Sequence, residues 1–201
     1  MKRIYIATSR KVGSKCIEWA TDNMPAGSAL ADDIREADII ISVLYDKIIP
    51  PYLLEGKKCF NFHPGVLPEY RGAGAFSWCL INQEKKTGIT LHLIDKGIDT
   101  GDIIEIREFL ISKKDTAYSL FLRGQDTIYK MFKDWFKDLL AGEYTAIPQR
   151  NTDAQTYFRK DLEEAKNLTK YVKAFYFPGK EAAYYLDEMG NKEYIFLKDK
   201  K

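Results

Sequence analysis

Residues 60–65 read Phe-Asn-Phe-His-Pro-Gly, and this short stretch decides the predicted fold. Asn61 and His63 are two residues apart, so on an extended segment their side chains point to the same side. Because Pro64 disfavours a helical conformation at His63, the pair is expected at the end of a β-strand. The two phenylalanines of the stretch would then face the opposite side and pack in the core.

A carboxylate further along the chain is expected to join this pair. Asp99 stands within residues 97–101, Gly-Ile-Asp-Thr-Gly, after a gap that leaves room for a loop, a helix and a returning strand. An amide, an imidazole and a carboxylate could therefore meet at one edge of a sheet.

These three groups suit the transfer of an acyl group to an amine. The Asn61 amide can donate to an oxygen that becomes negative, and one such donor is worth about 10²–10³ in rate. His63 can shuttle protons, while Asp99 would orient the ring, raise its basicity and help to carry the proton off the amine. Because neither Ser nor Cys stands beside His63 in the sequence, direct transfer without a covalent acyl-enzyme fits better.

Two longer segments resemble motifs of the folate-dependent formyltransferases. Residues 61–68 read Asn-Phe-His-Pro-Gly-Val-Leu-Pro, and residues 91–104 read Leu-His-Leu-Ile-Asp-Lys-Gly-Ile-Asp-Thr-Gly-Asp-Ile-Ile. The resemblance implies transfer of a formyl group from 10-formyltetrahydrofolate to an amine, with Asn61, His63 and Asp99 at the catalytic positions. It also implies a Rossmann-like α/β fold with a mostly parallel sheet flanked by helices. The alternative for the Asn-x-His pair alone is a satisfied polar pair at a strand end.

The resemblance further implies where the folate co-substrate binds. In that family the segment after a buried strand, here residues 38–44, lines the pterin pocket largely through backbone groups. The implied cofactor-binding residues are Tyr45, Lys47, Ile48, Ile49, Asp95, Gly97, Ile98 and Asp102. The alternative for residues 45–49 is a plain connection between a strand and a helix. For His92, beside the second motif, a structural role is favoured over a supporting role in the site.

The acceptor amine is expected to meet two further segments. In a glycine-rich loop, Arg71 is a candidate contact for an anionic group, and Gly72 would let the backbone approach a ligand closely. The alternative is a solvated arginine. Residues 171–179 resemble an aromatic stretch of formyltransferases that act on nucleotide-linked amino sugars. Phe175, Tyr176 and Phe177 could stack there on a nucleobase or line the sugar pocket, unless they form a small satellite core.

Three acceptor classes compete. Methionyl-tRNA formyltransferases carry a large additional C-terminal domain, for which the residues after Gly142 are expected to be too few, and the net charge of +2 lacks the basic surplus expected for tRNA. Glycinamide ribonucleotide transformylases lack the aromatic stretch. The tail and residues 95–104 resemble sugar N-formyltransferases best, and this resemblance implies as acceptor a 3- or 4-amino-dideoxyhexose, usually linked to dTDP, as a precursor of surface polysaccharide such as O-antigen. A glycinamide-ribonucleotide-type enzyme and a non-catalytic folate-binding module stay open as alternatives.

The chain is expected to divide at residue 148. Residues 1–148 would form the catalytic domain, with an abbreviated N-terminus, and residues 149–201 a short aromatic-rich α/β extension that completes the substrate pocket or a dimer contact. Helices are predicted at 75–85 and at 115–140, the latter with Asp115 as N-cap, an interruption at Gly124 and an end at Gly142. A hairpin is predicted over residues 183–196.

Composition limits the other classes of function. The 201 residues are 45% hydrophobic and 30% charged, with nearly balanced charge, which argues against a strong electrostatic interaction with nucleic acid or an anionic membrane. Three scattered cysteines and two histidines predict neither a disulfide framework nor a metal site. A reducing cytoplasm is the expected location. The expected partners are a nucleotide sugar and folate, with a homodimer left open.

Overall fold

The computed structural model describes residues 1–150, 154–158, 160–161, 169–186 and 189–195. Short 3₁₀ helices lie at Ile34–Glu36, Pro51–Leu53 and Thr169–Phe175. The strands and α-helices follow in chain order as β1 (Lys2–Thr8), α1 (Lys11–Asp22), β2 (Ser28–Leu30), β3 (Ile39–Val43), β4 (Lys58–His63), β5 (Arg71–Gly72), α2 (Ala75–Ile81), β6 (Lys86–Leu93), β7 (Ile103–Leu110), α3 (Ala117–Ala141), β8 (Thr156–Tyr157), β9 (Tyr184–Leu186) and β10 (Lys192–Tyr194).

Six of the described strands form one mixed sheet, in the order β2-β1-β3-β4-β6-β7. Neighbouring strands from β2 to β4 are parallel. β6 pairs antiparallel with β4, and β7 pairs antiparallel with β6. Every residue of β3 is buried, as expected for a strand covered on both faces. The predicted α/β class, a largely parallel sheet flanked by helices, is confirmed.

The core beside β4 fixes the direction of its side chains. Phe60 and Phe62 are fully buried and share this core with Phe132 and Phe136 of α3. Trp19 of α1 meets the two α3 rings edge-on, with centroid distances of 6.2 and 5.8 Å. Such pairs contribute about 0.5–1.5 kcal/mol beyond burial. Because strand side chains alternate, this packing directs the remaining side chains of β4 to the other face.

The predicted start of α3 needs correction. The helix begins at Ala117, because Thr116 and not Asp115 is its N-cap. The Thr116 hydroxyl accepts from the Ser119 N–H at 3.1 Å, while the Ser119 hydroxyl accepts from the Thr116 N–H at 2.9 Å. Asp115 instead accepts from the Ser112 N–H and the Arg123 guanidinium. A reciprocal capping box thus replaces the predicted single cap.

Two other helix predictions are also wrong. α3 continues through Gly124, where a Cβ would lie 2.7 Å from the ring of Phe76, so this glycine permits close packing of α2 and α3. α2 ends at Ile81, well before residue 85, and Gln83 follows with a φ of 58°. The predicted end of α3 at Gly142 is confirmed, with a φ of 85°.

The segment after α3 adds two small pieces to the fold. β8 pairs in parallel with β5, and β9 pairs antiparallel with β10, which confirms the predicted hairpin. Phe196, at the predicted end of that hairpin, lies outside the described residues. Through β8 the segment reaches the loop that follows β4.

Candidate active site

Asn61 and His63 lie at the C-terminal end of β4, as the alternation predicted. β4 pairs in parallel with β3 on one side and antiparallel with β6 on the other. In the second pairing Asn61 stands opposite His92 and His63 opposite Thr90. The end of the strand therefore presents an amide and an imidazole on one face.

Asp99 reaches this pair from the loop between β6 and β7. Its Oδ2 lies 3.3 Å from His63 Nδ1, and its Oδ1 accepts from Asn61 Nδ2 at 3.3 Å. The backbone N–H of Gly72 donates to Oδ2 at 2.9 Å. The three side chains that the sequence predicted to converge thus meet at Asp99, which contacts both Asn61 and His63, and β5 supplies a fourth group.

The proton positions on His63 follow from its partners. Nε2 lies 2.7 Å from the carbonyl oxygen of Tyr70, which can only accept, so Nε2 carries the hydrogen. In the neutral ring Nδ1 therefore carries no hydrogen, and its lone pair faces the Asp99 carboxylate. Gly65 makes this contact possible, because a Cβ there would lie 2.8 Å from His63 Nε2. The arrangement can accept a proton between Nδ1 and Asp99.

Burial sets the ionisation of the pair. His63 is 3% exposed, and this burial lowers the pKa of His63 below 6.5 although the Asp99 carboxylate opposes the shift. Burial also acts to raise the pKa of Asp99, but the His63 and His92 rings and the Gly72 N–H outweigh it and hold that pKa below 3.8. Near neutral pH the site therefore combines a free imidazole nitrogen with a carboxylate.

His92 lies among the candidate catalytic side chains, although its sequence context favoured a purely structural role. Its Nδ1–H donates to the Leu93 carbonyl at 2.6 Å, so Nε2 is free to accept from Asn61 Nδ2 at 3.1 Å. The same Nε2 lies 3.5 Å from Asp99 Oδ1. The two amide hydrogens of Asn61 are therefore directed at His92 and Asp99. Donation to a developing oxyanion requires that Asn61 share or redirect one of them.

The loop after β4 holds Arg71 in a buried position, so the alternative of a solvated arginine is wrong. Arg71 is 7% exposed, and its Nε and Nη2 donate to Gln149 Oε1 at 3.0 and 2.8 Å. The neighbouring Gly72 has a φ of 85°, and a Cβ there would lie 2.2 Å from the Tyr157 carbonyl oxygen. Glycine at position 72 is thus required for the pairing with β8.

The cofactor residues implied by the resemblance lie in the two loops that flank β4. β3 and β4 run parallel, so the segment holding Tyr45 and Lys47 leaves the sheet at the same edge as His63. The second loop carries the other half of the set, Asp95, Gly97, Ile98 and Asp102.

Side chains within these loops differ in their surroundings. Ile48 and Ile98 are exposed, and apolar side chains at a sheet edge suit a flat aromatic ring. Ile49 instead packs into a small core with Ile40 and Cys59. Asp95 shapes its own loop by accepting from the Gly97 N–H at 2.9 Å and the Thr100 hydroxyl.

The aromatic segment near residue 176 corrects one prediction. Phe175 is buried with Ile81, Ala174 and Ala183, so its side chain belongs to the small satellite core that was the alternative prediction. Phe177 contacts the rings of Tyr118 and Phe121, with centroid distances of 5.2 and 5.1 Å. Tyr176, 41% exposed, is the member of the predicted trio that faces solvent.

The profile of the Formyl transferase family matches residues 15–134, more than half of the chain. The chain belongs to the formyl transferase family. Among curated members it is similar to the methionyl-tRNA formyltransferase of Alkaliphilus oremlandii, with 40% identity over 130 residues, 62% of this chain and 42% of the relative. The chain therefore spans less than half the length of the curated relatives that it matches.

Solved structures of family members share the fold of this formyl transferase chain. A sugar N-formyltransferase from Shewanella sp FDAARGOS_354 superposes with a TM-score of 0.87 at 21% identity, covering 98% of this chain and 97% of that one. The N-formyltransferase of Helicobacter canadensis, solved with folinic acid and dTDP-3-aminofucose, gives 0.76 at 23% identity, covering 88% and 81%. The fold of the chain is thus that of the family.

In the described part of the chain, no group of three or more His, Cys, Asp or Glu side chains could hold a metal ion. Over the same residues, no helix has the length and apolar character that spanning a bilayer requires. The three cysteines are buried and unpaired, and burial raises the pKa of Cys79 to about 11.

The lowered pKa of His63 predicts a loss of stability in acid. A histidine whose pKa falls on folding binds its proton more tightly in the unfolded chain, so the folded state loses stability as pH drops through about 6.5. We expect the free energy of unfolding, from urea titrations, to fall between about pH 7 and pH 5 and to fall less in His63→Gln. An equal fall in both proteins would contradict the assigned ionisation.

Proposed function

We propose that this chain transfers a formyl group from 10-formyltetrahydrofolate to the amino group of a nucleotide-linked 3- or 4-amino-dideoxyhexose. The observation that carries the proposal is the cluster of Asn61, His63 and Asp99 at one edge of the sheet, within a formyl transferase chain. The donor supplies the formyl group, and the chain supplies orientation and proton transfer.

The proposed formyl transfer is direct and needs no covalent enzyme intermediate. The acceptor nitrogen forms a bond to the formyl carbon, and the bond from that carbon to N10 of the folate breaks. His63 Nδ1, stabilised by Asp99, takes the proton from the attacking nitrogen and returns it to the departing N10. Asn61 donates to the formyl oxygen as it becomes negative, a contribution of about 10²–10³ in rate.

The two flanking loops are proposed to bind the donor. Ile48 and Ile98 would contact the pteridine or benzoyl ring. Backbone groups near Tyr45 and Lys47 would form hydrogen bonds with the polar edge of the pteridine. Gly97 supports this role because a Cβ there would meet the Thr100 hydroxyl at 2.1 Å, so the loop is tightly folded. Asp95 and Asp102 would hold the loop around the donor.

A nucleotide sugar is the proposed acceptor, and a dTDP-linked sugar is the specific proposal. It is supported by likeness over nearly the whole length of a sugar N-formyltransferase and by the ligands of the Helicobacter canadensis protein. Tyr176 is the proposed contact for the base or sugar. The proposed product would enter surface polysaccharide, and the proposed location is the cytoplasm.

The proposal retains the two-part organisation of the chain. Residues 1–148 supply the catalytic cluster, and residues 149–201 complete the site through Gln149 and β8. Contacts of Arg71 with Gln149 and pairing of β5 with β8 support this dependence. A homodimer through the hairpin of β9 and β10 is part of the proposal.

Methionyl-tRNA is the second candidate acceptor, because the curated relatives, at up to 40% identity, are named methionyl-tRNA formyltransferases. The test mixes purified protein and 10-formyltetrahydrofolate with three acceptors in separate reactions: dTDP-linked amino sugars, methionyl-tRNA and glycinamide ribonucleotide. Mass spectrometry of the products should show a formyl group on the sugar alone.

Each other outcome of that assay decides against the proposal. Formylation of methionyl-tRNA or of glycinamide ribonucleotide, with the sugars unchanged, would assign the acceptor to that class. Folate binding by calorimetry, without turnover of any acceptor, would support a non-catalytic binding module.

A further inference from the structure

Gln149 links the loop of Asp99 to the buried Arg71. Its amide nitrogen donates to the carbonyl oxygens of Asp99 and Gly101 at 2.9 and 2.7 Å. Its amide oxygen accepts from Arg71 Nε and Nη2 at 3.0 and 2.8 Å. Both ends of one partly buried side chain are thus used, one on the Asp99 loop and one on β5.

The loop that Gln149 binds has an uncommon backbone conformation at Asp99. Asp99 has a φ of 52°, a left-handed value that a residue with a Cβ adopts only when its surroundings impose it. Gly101 lies against β6, where a Cβ would meet the Leu93 carbonyl oxygen at 1.9 Å. The two carbonyls on either side of Thr100 are the ones that Gln149 binds.

β5 approaches the same carboxylate from the other side. The Gly72 N–H donates to Asp99 Oδ2, and Arg71, the preceding residue, binds Gln149. The Arg71 N–H donates to the Gln155 carbonyl at 3.1 Å, which fixes β5 against the same segment. Asp99, Gly72, Arg71 and Gln149 therefore form a closed ring of hydrogen bonds around the loop.

We propose that Gln149 is a positioning residue that holds the Asp99 carboxylate against His63 Nδ1. The proposal rests on the proposed function. An amide is required because two carbonyl oxygens need donors at one end while a guanidinium needs an acceptor at the other. A glutamate would keep the Arg71 contact and lose both donors. A methionine of similar length would lose both contacts.

The first measurement requires no turnover. The pKa of His63 is followed by NMR in the whole protein, and His63→Gln assigns its signals because the chain has two histidines. Since the Asp99 carboxylate raises the pKa of His63 against the effect of burial, its displacement should lower that pKa further in Gln149→Met and Gln149→Glu. Gln155→Met, the same change on the same segment, should titrate like the parent.

The second measurement is kinetic. In Gln149→Met and Gln149→Glu, kcat should fall by about 10–10²-fold, as expected for a displaced catalytic group. KM for the amino sugar should change by less than about threefold, because its proposed contact, Tyr176, lies outside the loop that Gln149 binds. Gln149→Glu is the second variant, since it keeps the volume and the Arg71 contact if Gln149→Met fails to fold.

The outcomes separate the positioning role from the proposed function. His63 titration and kcat equal to those of the parent and of Gln155→Met, in a folded Gln149 variant, would overturn the positioning role. A parent protein without turnover on any acceptor would count against the proposed function alone. In that case the NMR titration still decides whether Gln149 holds Asp99 against His63.

Discussion

Replacing Asp99 by asparagine is expected to lower kcat by about 10²- to 10⁴-fold, the range for loss of a positioned acid–base group. The fold should survive, because an amide oxygen can still accept from the Gly72 N–H that now binds Oδ2. The amide nitrogen would take the place of Oδ1, beside Asn61 Nδ2 and His92 Nε2. The site would then lack the negative charge that stabilises His63 when it takes the proton from the amine.

The measurement is initial velocity with 10-formyltetrahydrofolate and the amino sugar, with thermal unfolding to verify the fold. Asp134→Asn is the matched control, since it removes a carboxylate that pairs with Arg107 at 2.9 Å on the surface of α3. The control should keep the parental kcat. An Asp99→Asn protein that retains more than about a tenth of parental activity would remove Asp99 from the mechanism.

Replacing Gly72 by alanine is expected to give the second large effect. The residue has a φ of 85°, and the new Cβ would lie 2.2 Å from the Tyr157 carbonyl oxygen, so β5 and β8 must separate. The Gly72 N–H would move away from Asp99 with them. We expect the free energy of unfolding to fall by about 2 kcal/mol or more and kcat to fall by about 10²-fold.

Gly27→Ala separates backbone strain from steric clash. Gly27 has a φ of 78°, and a Cβ there would meet nothing within 4 Å. This control should lose about 1 kcal/mol of unfolding free energy and keep the parental kcat. Urea titrations and initial velocities measure both quantities. If Gly72→Ala kept the same kcat as Gly27→Ala, the contact of β5 with Asp99 would have no catalytic importance.

The central strand and its polar pair could be predicted because the signals are local. Pro64 marks the end of β4, and the alternation along it assigns Asn61 and His63 to one face. The family spacing then places Asp99 beside them. Each step depends on neighbours in sequence or on a motif, so no knowledge of strand pairing is needed.

His92 and Gln149 could not be assigned in the same way. His92 enters the site because the register of β6 places it opposite Asn61, and register is a property of the paired strands. Gln149 binds a loop 50 residues earlier in the chain, across contacts that no local pattern encodes. Within the aromatic segment, α2 decides that Phe175 packs inward while Tyr176 faces solvent.

The helix errors have a similar origin. Asp115, Thr116 and Ser119 are all capable caps, and the tertiary contact of Asp115 with Arg123 decides between them. Gly124 predicts an interruption from propensity, but Phe76 packs against it and the helix continues. The cost of about 1 kcal/mol for a glycine inside a helix, relative to alanine, is too small to outweigh such packing.

The most direct test of formyl transfer by this chain is a single turnover with excess protein. The protein, saturated with 10-formyltetrahydrofolate carrying a ¹³C label in the formyl group, is mixed with the nucleotide-linked amino sugar. We expect the label to appear as an amide on the sugar nitrogen, quickly in the parent and more slowly in Asp99→Asn. Label that stays on the folate or leaves as formate, while both substrates are bound to the parent, would contradict this expectation.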